Sequence, residues 1–555
     1  MAIAQELQLA LTTAGARSEA LVQLASEKQL PLSTIITSLM KHGGVSTLLD
    51  RDLMAARLKP LFARTTTEHV FNLNRVTEFN AFVTTFSANV GAELDKFFVK
   101  LVDQPYTLTH DLVGYLTERL TGRVYTSPAE EQNPAPLESP DFPAAFTFVG
   151  QFVDHDLTLN AINLIDPEGN DVENAASPLI DLDSVYGLRS KLSKRPEAIF
   201  DATGRFRHDT ATAGVIDLPR TAVSDDAEWV NSPAIFDARN DENQMILQVH
   251  LLIERLHNKF TSNGCDFATA KNNTLLNWQS FLIHEYLPHL IQPAVLTELR
   301  SKIDGGDFGA LHVAKQSQTG TWYMSMPHEF SIGFRMGHSQ LRPAYNIQAA
   351  NPPVTLFNSD LSPDQGTFPP TYADLRGGQK LSAAHQIDWQ FFLGNQRPMA
   401  NAIDGKVTSV VFDLPRRTIP DDIKYVHNLA QRNLIRSSMI GLCAGEELAA
   451  FFGVAAPLTH DQVEPNADKK YLFTADGTFR TPLWYYILKE AELARTTGAG
   501  PQNPLGELGS RLVGEVILCA IRFNDINWWD QQGASGTWSV NGTPQVTLAE
   551  IAAFV

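Results

Sequence analysis

Cysteine is nearly absent: Cys265, Cys443 and Cys519 are the only three in 555 residues. Three scattered thiols supply neither a disulfide framework nor a thiolate metal site. A basic surplus is missing as well. The formal net charge of −18 argues against nucleic acid as a partner, because phosphate binding needs a basic surface; it suits bound cations. No run of about 18 apolar residues occurs, so no transmembrane segment is expected. The start, Met1-Ala2-Ile3-Ala4-Gln5-Glu6, lacks a basic segment leading into an apolar core. No signal peptide is therefore expected, and the compartment is left open between the cytoplasm and leaderless secretion. Internal repeats and low-complexity tracts are absent too. With 43% hydrophobic and 19% charged residues, the chain reads as a folded protein with room for a large core.

Residues 1 to about 100 carry amphipathic patches, such as Leu7, Leu9 and Leu11, then Leu21 and Leu24. They read as a helical N-terminal extension without a catalytic cluster. Residues 126–142, rich in Pro, Ser and Glu, read as an exposed connector. From Asp241 to Phe260, apolar residues recur at spacings of three and four (Met245, Val249, Leu252, Ile253, Leu256, Phe260), and Ser262-Asn263-Gly264 ends that helix. Residues 274–298, 422–453 and 505–523 show the same period. Pro, Gly and Asn gather in loops at 345–380 and 523–545. The expected fold class is mainly α, with little β structure.

The segment Gly150-Gln151-Phe152-Val153-Asp154-His155-Asp156-Leu157 sets a glutamine, a histidine and two aspartates into an apolar run. It should be a buried helix, where ionisable groups are costly unless each is paired or binds something. Gln151 and His155 differ by roughly 40° around such a helix, whereas Asp156 lies roughly 100° from His155. One face is thus suited to a reaction pocket and another to a cation.

Four further clusters carry polar chemistry. Ser177-Pro178-Leu179-Ile180-Asp181-Leu182-Asp183 offers a hydroxyl, two carboxylates and free carbonyls, the oxygen ligands a hard cation such as calcium takes. Asp156 is a candidate further ligand, although a helix-capping loop with solvated aspartates has the same composition. Asp237-Ala238-Arg239-Asn240-Asp241-Glu242 precedes a long helix, where acidic residues suit the macrodipole. His250 and His257 on that helix read as buried structural histidines, with no third ligand in view. Phe334-Arg335-Met336-Gly337-His338-Ser339 sets a histidine beside a glycine, and Asn433-Leu434-Ile435-Arg436 sits in an amphipathic helix starting near Asp421. Taken singly, these two have ordinary readings as a core histidine and a solvated face.

Taken together and in order, the clusters resemble the animal-type haem peroxidases, the peroxidase–cyclooxygenase superfamily, in a bacterial-style form. The resemblance spans roughly residues 140–525 and implies a mainly α haem peroxidase domain over residues 101–555. It implies haem b and calcium as cofactors. It casts His155 as distal histidine, Gln151 as its pocket partner and Arg239 as distal arginine. His338 resembles the proximal histidine on haem iron, and Asn433 the asparagine hydrogen-bonded to it. Arg335 and Arg436 resemble the propionate contacts. Asp154 and Glu242 resemble the carboxylates that form ester links to haem. Asp156, Ser177, Leu179 (by its carbonyl), Asp181 and Asp183 match the calcium ligands. The implied reaction is heterolysis of hydrogen peroxide by a histidine base and an arginine, followed by oxidation of organic donors or halides.

Departures from the family pattern narrow that implication. Asn243 stands where several mammalian members have a methionine linked to haem, so that sulfonium link is not expected. Asp183 and Ser177 replace a common serine and threonine; both still offer oxygen. The radical tyrosine of the fatty-acid oxygenating branch lies three residues before the proximal histidine, where this chain has Arg335. Haem-dependent fatty-acid dioxygenation and a peroxidase-like adhesion module are the alternatives.

Overall fold

The computed structural model describes residues 98–121, 138–159, 176–187, 196–212, 214–221, 232–317, 320–358, 373–412, 414, 428–496, 505–532 and 537–555. The expected N-terminal extension lies, apart from 98–100, outside the described residues. Helices dominate: α1 (His110–Thr121), α2 (Ala144–Leu157), α3 (Gln244–Ser262), α4 (Phe267–Phe281), α5 (Pro293–Asp304), α6 (Leu429–Met439), α7 (Leu483–Thr496) and α8 (Glu507–Arg522), with shorter pieces between. Among the described residues, β structure is limited to five two-stranded antiparallel pairs and isolated bridges. The mainly α expectation holds.

Local chemistry sets the helix ends. Asn243 caps α3 by accepting from the amides of Met245 and Ile246, so the helix starts at Gln244 rather than at Asp241. Asp266 caps α4 in the same way through Thr269. Beyond α4 the chain widens into a π-turn, Leu282–Tyr286. Pro288 follows and has no amide to donate back, and such a break in the ladder is a known cause of helix irregularity. α8 is buried on nearly every side, as befits a central helix, and no helix among the described residues is long and apolar enough to cross a membrane. α2 packs on α3, α3 on α4, and α5 on α8.

Two sequence expectations need correction. The connector assigned to 126–142 ends inside a strand: Glu138–Pro143 pairs with Met399–Asn401, and Ser139 and Phe142 are buried. Its Pro and Ser content is compatible with an irregular two-stranded pair, and the register shifts between Glu138 and Pro143. The helix expected over 422–453 is two helices, α6 and Gly445–Phe451, parted at Gly441, whose φ of 59° lies in the left-handed region that glycine tolerates. Its start near Asp421 falls outside the described residues. All three cysteines are free thiols.

Glu329 ties the first described residues to the core. It lies in the helix His328–Gly333 that leads into the His338 turn. Its Oε1 accepts from the amides of Leu101 (2.9 Å) and Val102 (3.2 Å). Burial pushes its carboxyl up to about 7 from 4.5. The native state therefore holds this proton more tightly than the unfolded chain does. Stability from this group is complete below about pH 4.5 and is lost as pH rises through about 7. We expect Glu329→Gln to unfold at higher temperature than wild type at about pH 8. It should also lose about 3 kcal/mol less stability between about pH 5 and 8. Parallel stability–pH curves for the two proteins would contradict this.

Candidate functional site

α2 brings Gln151 and His155 to one side and turns Asp156 away, as the helical spacing requires. Gly150 lets α2 approach its neighbours closely: a Cβ there would stand 2.7 Å from the Tyr286 hydroxyl and 3.8 Å from Phe334. Phe334 opens the short 3-10 turn Phe334–His338. The helix bearing His155 and the turn bearing His338 thus meet at a glycine.

The imidazole of His155 is buried, and its Nδ1 lies 2.9 Å from Oδ1 of Asn240. Its Nε2 makes no hydrogen bond among the described residues; the nearest carboxylate is Glu242, 4.0 Å away. Burial, reinforced by the Arg239 guanidinium, holds His155 below its ordinary pKa. The ring is therefore neutral near pH 7, the form a general base needs.

Arg239 is gripped by its own segment. Asp237 takes its Nε (3.0 Å) and Nη2 (2.6 Å), and the His155 carbonyl accepts from Nη2 at 2.8 Å. Burial pushes the Asp237 carboxyl up, but the guanidinium outweighs it and holds the carboxyl below its ordinary value. Nη1 of Arg239 makes no hydrogen bond among the described residues. Gln151 donates to Glu242 (3.2 Å) and accepts from Asn243 (3.1 Å). Asn243 thus caps α3 and steadies Gln151 together. The segment is braced from behind by a buried pair, in which Arg220 donates twice to Asp241 at 2.8 Å. Gly377 closes on the same backbone so tightly that a Cβ would stand 1.5 Å from the Asp241 carbonyl.

His338 is held from α6. The Asn433 carboxamide lies 2.7 Å from its Nδ1, and Asn433 Oδ1 is buried without a partner among the described residues. Turning the amide over gives Oδ1 the ring N–H and satisfies both groups. Burial, with Arg335 and Arg432 nearby, pulls His338 down to about 3, leaving a neutral ring. Arg436 lies one turn beyond Asn433. It senses Arg335 and Arg432 from the His338 side and Asp154 and Arg239 from the His155 side. Burial, then Arg335, lowers it to about 9, and its Nε is buried without a partner among the described residues. Arg335 spends its Nε on the Ser331 carbonyl. Cations crowded in this way fit an anionic ligand. Asp154, whose carboxylate accepts from Thr158 at 3.1 Å, is the nearest opposing charge on α2.

On the other face of α2, Asp156 is fully buried and accepts from the amides of Leu182 (3.0 Å) and Ser184 (3.1 Å). Leu182 sits at φ 61°, a left-handed geometry this bond helps to hold. Asp183 accepts from the Ser177 amide, Asp181 from the Asp183 amide, and Ser177 Oγ from the Leu179 amide. Burial, then Asp181, drives the Asp156 carboxyl well above its ordinary range. The carboxylates are gathered but face backbone amides. Among the described residues no three His, Cys, Asp or Glu side chains converge as a metal cage.

The structure therefore groups Gln151, His155, Arg239 and Glu242, joins His338 to Asn433, and sets Arg436 between the two groups. Sequence reasoning passed over Asp237 and Asn240 as partners. Asp237 carried a signal, since it caps the Ala238–Asp241 turn; Asn240 carried none.

No protein-family model matches the chain, and no curated protein matches it in sequence. Solved structures do. Peroxidase A from Dictyostelium discoideum superposes with a TM-score of 0.55 at 14% identity, covering 82% of this chain and 93% of that one. The chain shares the fold of that peroxidase. A fatty acid alpha-dioxygenase from Oryza sativa, solved with palmitic acid, matches less well: TM-score 0.49 and 12% identity over 82% of both chains.

Proposed function

We propose that residues 101–555 form a haem peroxidase that uses hydrogen peroxide to oxidise small organic donors, with halides as further candidates. The observation that carries this reading is the neutral, buried His155, fixed at Nδ1, beside Arg239, with His155 Nε2 and Arg239 Nη1 both unbonded among the described residues. Haem fits the residues. His338 would hold iron through Nε2, with Asn433 keeping the ring a strong donor from Nδ1. Arg335 and Arg436 would take the propionates, which answers the unpartnered Nε of Arg436.

Haem, when bound, supplies the redox centre at which the peroxide O–O bond is cleaved. His155 Nε2 takes the proton from one peroxide oxygen and returns it to the leaving oxygen. Arg239, aimed by Asp237, stabilises the negative charge that builds there. Gln151, held between Glu242 and Asn243, orients the peroxide or a water beside His155. Arg335 at the radical-tyrosine position speaks against fatty-acid oxygenation by the tyrosyl route.

Two dependent features belong to the same proposal. Asp154 and Glu242 would form ester links to haem, each carboxylate oxygen replacing a hydrogen of a haem methyl group with hydrogen peroxide as the two-electron oxidant, itself reduced to water. Calcium would bind through Asp156, Ser177, the Leu179 carbonyl, Asp181 and Asp183, which requires Asp156 to exchange a backbone amide for the ion. Such an ion would relieve the repulsion among the three aspartates and stiffen α2 behind His155.

His338→Ala should lose haem from the reconstituted protein, and a variant with full haem and full activity rejects the ligand assignment. His155→Ala should retain haem yet react with peroxide about 10²- to 10⁴-fold more slowly in stopped flow. An unchanged rate places the base elsewhere. Acid–acetone should leave haem on the peroxide-treated wild type and extract it from an Asp154→Val, Glu242→Gln double variant; complete extraction from wild type rules out the links. Chelation should lower the thermal unfolding midpoint and added calcium restore it, whereas a midpoint indifferent to both removes calcium from the account.

A further inference from the structure

His155 is the end of a buried hydrogen-bonded chain of which the peroxidase reading uses only the first bond. Its Nδ1 meets Oδ1 of Asn240 at 2.9 Å, and Nδ2 of Asn240 meets Nδ1 of His250 at 3.0 Å. Nε2 of His250 then meets Oε1 of Glu254 at 3.1 Å, and Oε2 of Glu254 meets Nε2 of His208 at 3.0 Å. Asn240, His250 and Glu254 are buried, whereas His208 is 12% exposed. The chain runs from the site out towards the surface beside the Ile199–Arg207 turn.

The sense of each bond follows from its far end. A carboxylate only accepts, so Glu254 requires N–H on Nε2 of both His250 and His208. Nδ2 of Asn240, which can only donate, stands 3.0 Å from Nδ1 of His250, so this ring nitrogen is the lone pair and Asn240 its donor. Asn240 can supply that donor only through Nδ2, which turns Oδ1 to His155. Oδ1 accepts, so His155 must carry its proton on Nδ1 and expose a lone pair at Nε2. We propose that Asn240, His250 and Glu254 are positioning residues that lock His155 in the tautomer whose Nε2 is a free base, with the Glu254 charge as the origin of the lock. This rests on the peroxidase reading for its consequence in catalysis, though not for the tautomer itself.

The carboxamide of Asn240 fixes direction without passing a proton, so the chain orients the base and does not conduct. Burial pushes the Glu254 carboxyl up, but hydrogen bonds from His208 and His250 hold it below its ordinary value, and it carries its charge at neutral pH. Such outer partners of an active imidazole set which ring nitrogen holds the proton.

The tautomers are read first, by nitrogen NMR of the haem-free full chain labelled at histidine. The expected pattern is a proton on Nδ1 of His155 and on Nε2 of His250. Glu254→Gln, which can present either its oxygen or its amide to His250, should turn the His155 signal into a mixture. A proton on Nε2 of His155 in wild type, or an unmoved signal in Glu254→Gln, overturns the proposal. The second arm is a double-mutant cycle on the rate of reaction of the haem-loaded protein with hydrogen peroxide. Glu254→Gln should slow it about 10-fold, and Asn240→Leu more. In the Asn240→Leu background Glu254→Gln should cost nothing further, because the chain is already cut. Additive costs show that Glu254 acts some other way and overturn the lock. If Asn240→Leu does not fold, His250→Gln cuts the same chain one residue later. A wild type inert to peroxide defeats the peroxidase reading alone, since the tautomer pattern without haem still decides the chain.

Discussion

Burying His155 and Asp156 side by side in an apolar helix is the constraint on which the rest of the site depends. Each group would cost several kcal/mol if left unpartnered in such a place. The helix solves this by directing the two residues to different neighbours. His155 is met by Asn240 from the segment ahead of α3, and Asp156 by the amides of the 177–187 loop. α2 is thereby locked in rotation, and with it the direction of Gln151 and Asp154.

The same logic repeats outward. Arg239 requires Asp237, and the segment carrying both is braced by the Arg220–Asp241 pair and by the close packing of Gly377. His338 requires Asn433, which fixes α6 against the 334–338 turn. Arg436 departs from this pattern: among the described residues its Nε finds no partner, and its charge is held among other arginines. A buried cation crowded by like charges points to where the protein takes an anion from outside.

The helices were legible because their signal is local. Periodicity gave α3 and α8 almost whole, and the apolar run around Gln151 gave α2. The pair Glu138–Pro143 with Met399–Asn401 was not, since a strand rich in Pro and Ser is made by a partner far along the chain. The site divides in the same way. Residue types and order gave His155, Arg239 and His338 as candidates through a family resemblance, and the structure brings Gln151, His155 and Arg239 together. The supports of His155 were invisible in sequence: Asn240 meets His155 across 85 residues and His208 meets Glu254 across 46. Only His250 and Glu254, four apart on one helix, could have been paired by spacing.

The most direct measurement is the absorption spectrum of the full chain supplied with haem, before and after one equivalent of hydrogen peroxide. The expected result is the Soret band of a histidine-ligated haem that shifts within milliseconds of mixing. No Soret band beyond that of free haem would contradict the assignment of His338 and, with it, the peroxidase reading of the whole site.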